Sequence, residues 1–269
     1  MKKVILVTGA SSGIGLACAT AIQSKGHIVY GSARNTARLQ GVSFKPVELD
    51  VTDESSVKNA IASIVKTEGK IDVLVNNAGN GVAGPAYTMS LANAKKQFDV
   101  NFFGVVSMCS AVLPGMINNK QGLVVNIGSL AGLFGLPYQS MYSASKYAIE
   151  GYSQSLRMEL RNTGVKVVVI NPGDFKTGFT GSREKTAFGM SNSALEAEYN
   201  AAVASIEKDE NAGQHPDMIG NKLCKIVEAA NPAHRYLVGA MAQTIAPTLK
   251  SILPGPLFEK LMNDHYGIK

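Results

Sequence analysis

Short, continuously apolar runs alternate with helix-period segments along this chain, and that alternation limits its fold more than any other feature. Residues 3–8 (KVILVT) read as a buried strand, and 13–26 (GIGLACATAIQSKG) as a helix closing on glycine, a common C-cap residue. Residues 27–33 and 44–50 read as strands. Residues 53–69 read as a helix whose opening acidic residues suit the positive end of its dipole. The pattern continues with a strand at 71–79, a long helix at 91–117, a strand at 122–129, a long helix at 139–163 and a strand at 164–173. Strands that are apolar at nearly every position, each followed by a helix, belong to a parallel sheet covered on both faces. The right-handed crossover rule makes such a series a doubly wound α/β sheet, whose ligands bind beyond the carboxyl ends of the strands. Four polar or glycine-rich stretches fall at those ends: 8–15, 76–79, 126–129 and 171–177.

The 269 residues show no break in composition and suit one domain over 1–269. From 174 to about 215 the pattern loosens around Gly178, Gly181 and Gly189, with a possible helix at 194–208. A long insertion after a core strand reads as a substrate lid. Residues 235–239 read as a last strand. The tail from about 240 to 269 carries Pro247, Pro254 and Pro256 among apolar residues and reads as a segment packing on the domain or on a neighbouring subunit.

Composition excludes several function classes. With 45% hydrophobic and 17% charged residues the chain is neither disordered nor fibrous. A net charge of +6 gives mild attraction for anionic ligands. There is no Lys/Arg block, and aromatic residues do not alternate with basic ones, so nucleic acid is not an expected partner. Cys18, Cys109 and Cys224 are odd in number and far apart, which speaks against a disulfide framework or a zinc site and for a reducing, cytoplasmic setting with no metal. The apolar run 4–7 is too short for a signal peptide, and no later segment reads as long enough to span a bilayer.

The motif TGASSGIG places Gly9, Gly13 and Gly15 between the first strand and the first helix, with Ser11, Ser12 and Ile14 among them. Glycines there permit a tight turn and close approach of backbone to a pyrophosphate, which the helix N-terminus attracts. At the end of the second strand an acidic residue would select NAD(H) by its ribose hydroxyls. The chain instead reads GSARN, with uncharged Ala33 followed by Arg34, whose guanidinium can pair with a phosphate. NADP(H) is therefore the expected cofactor and NAD(H) the alternative, in which Arg34 is merely solvated.

In YSASK, Tyr142 and Lys146 lie four apart on a helix and share one face. A nearby ammonium lowers a phenol's pKa and so improves it as an acid/base near neutral pH. Ser129 closes the preceding strand, where its hydroxyl can also reach a substrate oxygen.

Taken together, TGASSGIG, NNAG (76–79), NIGS (126–129), YSASK and NPG (171–173) resemble the short-chain dehydrogenase/reductase family, in order and spacing, from residue 4 to about 177. The resemblance implies a Rossmann sheet with NAD(P) and hydride exchange between nicotinamide and a carbonyl or alcohol. It implies that Tyr142 is the acid/base, and that Lys146 holds the nicotinamide ribose and lowers the phenol pKa. Ser129 would be the substrate-oxygen partner and Asn101 a support for a proton relay. It places Asp50 and Val51 at the adenine and Asn76, Asn77, Ala78 and Gly79 beside the adenine ribose. Pro172, Gly173 and Thr177 would lie against the nicotinamide. Gly128 stands where many members have serine, and Asp174 adds a charge near the nicotinamide end.

A pocket between the Ser129–Tyr142 loop and 174–215 is expected to be lined by Leu133, Phe134, Leu136, Met141, Phe179 and Phe188, which suit an apolar carbonyl substrate. The run 135–160 is similar to hydroxysteroid and retinol members, pointing to a steroid-like or other bulky ketone or alcohol. The rival substrate is a β-ketoacyl thioester. The rival of another class is a catalytically silent NADP-binding regulator. In the family the helices 91–117 and 139–163 build a symmetric interface, so a homodimer or homotetramer is expected.

Overall fold

A computed structural model of the chain describes residues 1–268; Lys269, the end of the expected tail, lies outside the described residues. In chain order the elements are β1 (Val4–Val7), α1 (Gly13–Ser24), β2 (Ile28–Ala33), β3 (Lys45–Glu48), α2 (Glu54–Glu68), β4 (Val73–Asn76) and β5 (Val82–Ala83). Next come α3 (Leu91–Phe98), α4 (Gly104–Asn118), β6 (Gly122–Ile127), α5 (Ser140–Glu159), β7 (Val165–Pro172), α6 (Phe179–Ser182) and β8 (Glu184–Lys185). The chain finishes with α7 (Ser193–Asn211), α8 (Asp217–Glu228), β9 (Arg235–Val238), α9 (Met241–Ile252) and α10 (Gly255–Tyr266).

Seven strands form one parallel sheet in the order β3-β2-β1-β4-β6-β7-β9, a Rossmann-like arrangement. β1 pairs with β2 on one side (Ile5 opposite Val29) and with β4 on the other (Ile5 opposite Val73). Strand order therefore reverses at β1, and the crevice at its carboxyl end is where such sheets bind ligands. The period-2 pleat sorts the core. Ile5, Val7, Val73, Val75 and Val125 face α1 and α8, burying against Ile22, Ile219 and Leu223. Leu6, Leu74 and Val124 face the opposite layer, with Ile64 of α2, Met108 and Met116 of α4 and Ile149 of α5. All three cysteines are buried and unbridged.

Several elements differ from the sequence expectation. β3 is shorter than 44–50 because it is an edge strand whose Lys45, Pro46 and Glu48 are exposed. Helix α8 was not anticipated; its Ile219, Leu223 and Ile226 line one face, and it packs along α1. The tail is two helices. Pro254 and Pro256 sit at the start of α10, where a missing N–H costs nothing, while Pro247 is tolerated inside the surface helix α9. α3 and α4 run on through a π-helical turn at Asp99–Phe103, giving a 28-residue helix, Leu91–Asn118. An 18-residue window within it has a mean hydropathy of 1.7, so by length and composition it is able to cross a bilayer, which corrects the reading that no segment reaches that length. Its apolarity has a local use: 44% of that window is buried, and Met108, Cys109, Val112 and Met116 pack under the sheet.

The 174–215 segment is tied to the body where β8 pairs with β5, placing Val82 opposite Glu184, and its own two ends are joined by a bridge between Phe175 and Gln214.

Candidate active site

The glycine turn is stapled to the end of β4. The buried Thr8 Oγ1 accepts the N–H groups of Asn77 (2.9 Å) and Ala78 (3.0 Å), and Asn77 Nδ2 donates to the carbonyls of Thr8 (2.9 Å) and Gly9 (3.2 Å). Gly9 and Gly13 take φ of 65° and 54°, which disfavours any side chain. A Cβ on Gly15 would lie 2.3 Å from the Gly9 carbonyl oxygen. Ser12 precedes α1 without a side-chain capping bond, and no acidic residue occupies the first turn. The first N–H groups of α1 are thus left to an anionic partner, beside half-buried Ser11 and Ile14. A Cβ on Gly13 would be 3.2 Å from Cβ of Thr177, so the strand-end segment Pro172–Gly173–Thr177 closes over this turn.

Along the crevice, Arg34 is exposed one residue beyond β2, and Asn35 caps a short 3-10 turn that presents a second exposed arginine, Arg38, unforeseen in the sequence reading. Asp50 Oδ1 accepts from the N–H (2.9 Å) and hydroxyl (2.7 Å) of Thr52. Val51 is buried against Gly104, where a Cβ would meet it at 2.7 Å. Asn76 is buried and donates to Asn126 Oδ1 (2.8 Å). These residues fit a dinucleotide: a side-chain-free turn at a helix N-terminus, then cations at the next strand end.

Tyr142, Lys146, Ser129 and Asn101 come together at the carboxyl ends of β4 and β6. The Lys146 ammonium is buried and donates to the Ile127 carbonyl (2.9 Å), 5.8 Å from the centre of the Tyr142 ring. The half-buried phenol shares a side-chain hydrogen bond with Ser129. Ser129 is held through its backbone, because Asn171 Nδ2 donates to its carbonyl (2.9 Å) while also donating to Glu150 (2.7 Å), which pairs with Arg235 (2.6 Å). Gly132 allows this loop to seat on α5: a Cβ there would lie 2.8 Å from the Lys146 carbonyl oxygen. Asn101 sits in the π turn, where its Oδ1 accepts from Asn80 N–H (2.9 Å) and its Nδ2 donates to the Asn80 carbonyl (3.1 Å) and to Ser145 (3.2 Å). A Cβ on Gly79 would lie 3.3 Å from that Oδ1.

Burial pushes the Tyr142 phenol up to about 12, while the Ser129 bond pulls it down. Burial is the largest influence on the phenol, and burial also drives the Lys146 ammonium down to about 8, partly opposed by Glu150. A phenol held protonated beside a serine hydroxyl can donate a proton to a carbonyl oxygen.

Of the expected pocket residues, Phe179 lies beside the phenol, its ring centre 5.7 Å from that of Tyr142. Leu133, Phe134 and Leu136 join a cluster with Phe258 and Leu253 under the C-terminal helices, and Met141 is half-buried on α5. Phe188 is buried with Tyr199, Val203 and Ala83 in a separate small cluster. The sequence reading missed Arg183 and Glu210, whose ion pair joins the end of α6 to α7, and Gln243 of α9, which accepts from Asp174 N–H (3.1 Å). No motif or periodicity marks them. Burial, then the carboxylates of Glu210 and Asp209, pushes the Asp174 carboxyl up to about 6.

The short chain dehydrogenase family matches residues 3–187. The chain is 40% identical to 3-ketodihydrosphingosine reductase of Bacteroides thetaiotaomicron over 267 residues, 99% of each chain. It is 36% identical over 192 residues to human retinol dehydrogenase 8, covering 66% of this chain and 61% of that one. Among solved structures, a short-chain dehydrogenase from Streptomyces avermitilis superposes with a TM-score of 0.84 at 28% identity over 98% of both chains. A serine dehydrogenase complexed with NADP+ gives 0.77 at 27% identity, over 89% of this chain and 95% of that one.

Proposed function

The chain belongs to the short-chain dehydrogenase family, and we propose that it works as an NADP(H)-dependent reductase of a bulky apolar ketone. Nicotinamide-dependent exchange between a carbonyl and a CH–OH group is the chemistry of that family, and the bound cofactor would supply the hydride. Tyr142 donates the proton to the carbonyl oxygen and Ser129 hydrogen-bonds the same oxygen as charge develops on it. Lys146 holds the cofactor ribose, and Asn101, fixed by Asn80, supports the relay that restores the proton. The observation that carries this reading is the Tyr142 phenol beside Ser129, with the buried Lys146 ammonium 5.8 Å from its ring centre.

Preference for NADP(H) is supported by the exposed arginines 34 and 38 beyond β2, with no acidic residue at the strand end. The proposed substrate is a ketone or secondary alcohol with a large apolar body. Retinol dehydrogenase 8 and 3-ketodihydrosphingosine reductase are similar chains, and the sequence of α5 adds a steroid-like candidate. The segment 174–215 is the lid over this substrate. Exposed Phe103, Tyr147 and Met158 on the long helices suit a homodimer or homotetramer, which light scattering measures.

The test is NADPH oxidation with 3-ketodihydrosphingosine, retinal and a ketosteroid, repeated with Tyr142→Phe. Turnover lost in the variant supports the assignment. Equal turnover removes Tyr142 as the acid. NADPH binding without turnover of any ketone favours a silent regulator.

A further inference from the structure

The lid buries a guanidinium with donors to spare. Arg183 follows α6, and its side chain is 1% exposed. One nitrogen, Nη2, pairs with Glu210 Oε1; the other Glu210 oxygen accepts from Thr180 Oγ1 (2.7 Å). Nε and Nη1 are buried without a hydrogen-bond partner among the described residues. Buried donors on a charged group are costly when unmet, so these two call for a partner that the protein itself does not supply. The guanidinium carbon lies 5.5 Å from the centre of the Phe179 ring, whose other neighbour is Tyr142 at 5.7 Å. Asp174 lies on the same side, its carbonyl accepting from Gln214 N–H (3.0 Å) just beyond the Gly213 N–H that bonds the Glu210 carbonyl (3.1 Å).

We propose that Arg183, held by Glu210, is the polar end of the substrate site and binds a hydroxyl group carried near the reacting carbonyl. This rests on the reading of Tyr142 as the acid that protonates that carbonyl. The charges select the class of group. Glu210 already neutralises Arg183, and Asp174 adds a carboxylate whose side chain accepts from Gln243. A substrate carboxylate or phosphate would meet two carboxylates there. A hydroxyl oxygen accepts from one of the free donors, Nε or Nη1, and its own proton can go to Glu210 or Asp174. An acidic carrier or a keto acid is disfavoured by the same arrangement. A site built to bond a hydroxyl also rejects the analogue that lacks it, since its donors are left unpaired.

The experiment compares a long-chain hydroxymethyl ketone, the matching methyl ketone and the matching 2-oxo acid with NADPH. In the wild-type protein kcat/KM for the hydroxymethyl ketone exceeds that for the methyl ketone by about tenfold or more, and the oxo acid is the poorest. Arg183→Lys keeps a cation facing Glu210 and removes the forked donors, so the fold is retained and the ratio falls toward one. A ratio near one in the wild type, an unchanged ratio in Arg183→Lys, or preference for the oxo acid overturns the proposal. Melting temperature separates this from the acid assignment. In Tyr142→Phe with NADPH, the hydroxymethyl ketone raises it more than the methyl ketone does, and adding Arg183→Lys abolishes the difference; equal shifts overturn Arg183's role whatever the turnover shows.

Discussion

Lys146 and Tyr142 stand one helical turn apart on α5, with the ammonium 5.8 Å from the centre of the phenol ring and anchored to the Ile127 carbonyl. The pair is buried enough that both groups lean toward their neutral forms. A neutral phenol is an acid, so the arrangement suits reduction, in which the carbonyl oxygen needs a proton, better than oxidation, which needs a phenolate.

Replacing Tyr142 by Phe removes that proton and leaves the ring. Ketone reduction is expected to fall by about a hundred- to ten-thousandfold. NADPH binding, followed by the cofactor's fluorescence, should change little because the ring and Lys146 remain.

The pH profile of reduction should bend at the lysine. Burial holds Lys146 down to about 8, and Tyr142 stays protonated up to about 12. The kcat/KM for reduction is therefore flat below about pH 8 and falls above it as the ammonium is lost. Glu150 raises Lys146, so Glu150→Gln should move the bend to lower pH; a bend that stays in place would take Glu150 out of this account.

Cofactor choice should hinge on Arg34. Loss of one charge-assisted phosphate contact in Arg34→Ala is expected to weaken NADPH roughly ten- to hundredfold. NADH, which lacks the phosphate, should bind as before. Equal weakening of both would show that Arg34 acts on the turn and not on the phosphate.

A methyl group on Gly15 has nowhere to go, with the Gly9 carbonyl oxygen 2.3 Å from its position. Gly15→Ala should cost about 1–3 kcal/mol of stability in urea unfolding. The same shift of the turn should abolish NADPH binding.

Stability should also carry the mark of Asp174. Its carboxyl rises from 3.8 to about 6 on folding, driven by burial and then by Glu210 and Asp209. Between those values the folded chain keeps a proton that the unfolded chain has released, so stability declines as pH rises through that window and stays lower above it. Asp174→Asn should flatten the decline in urea midpoints measured from pH 4 to pH 7.

Much of the fold was legible because its signals are local. Continuous apolar runs mark Val4–Val7 and Val73–Asn76, the glycines at 9, 13 and 15 mark a tight turn, and a four-residue spacing puts Tyr142 and Lys146 on one face. Gly128, which departs from the family's serine, had no reading until the structure placed Asn171 Nδ2 2.8 Å from where its Cβ would be. The apolar face of helix α8, with Ile219, Leu223 and Ile226, was legible but unused, while the tail helices are interrupted by proline; packing against α1, α7 and the Leu133–Leu136 loop seats them.

By itself, then, the sequence determined the doubly wound sheet, the glycine cradle and the residues that gather at its open end. Those follow from backbone conformation and periodicity, which each short stretch carries within itself. Only the tertiary structure decided that burial pushes Tyr142 up, that Phe188 packs with Tyr199 and Val203, and that Arg183 pairs with Glu210. Desolvation and the pairing of buried charges depend on residues far apart in the chain, and no local pattern encodes them.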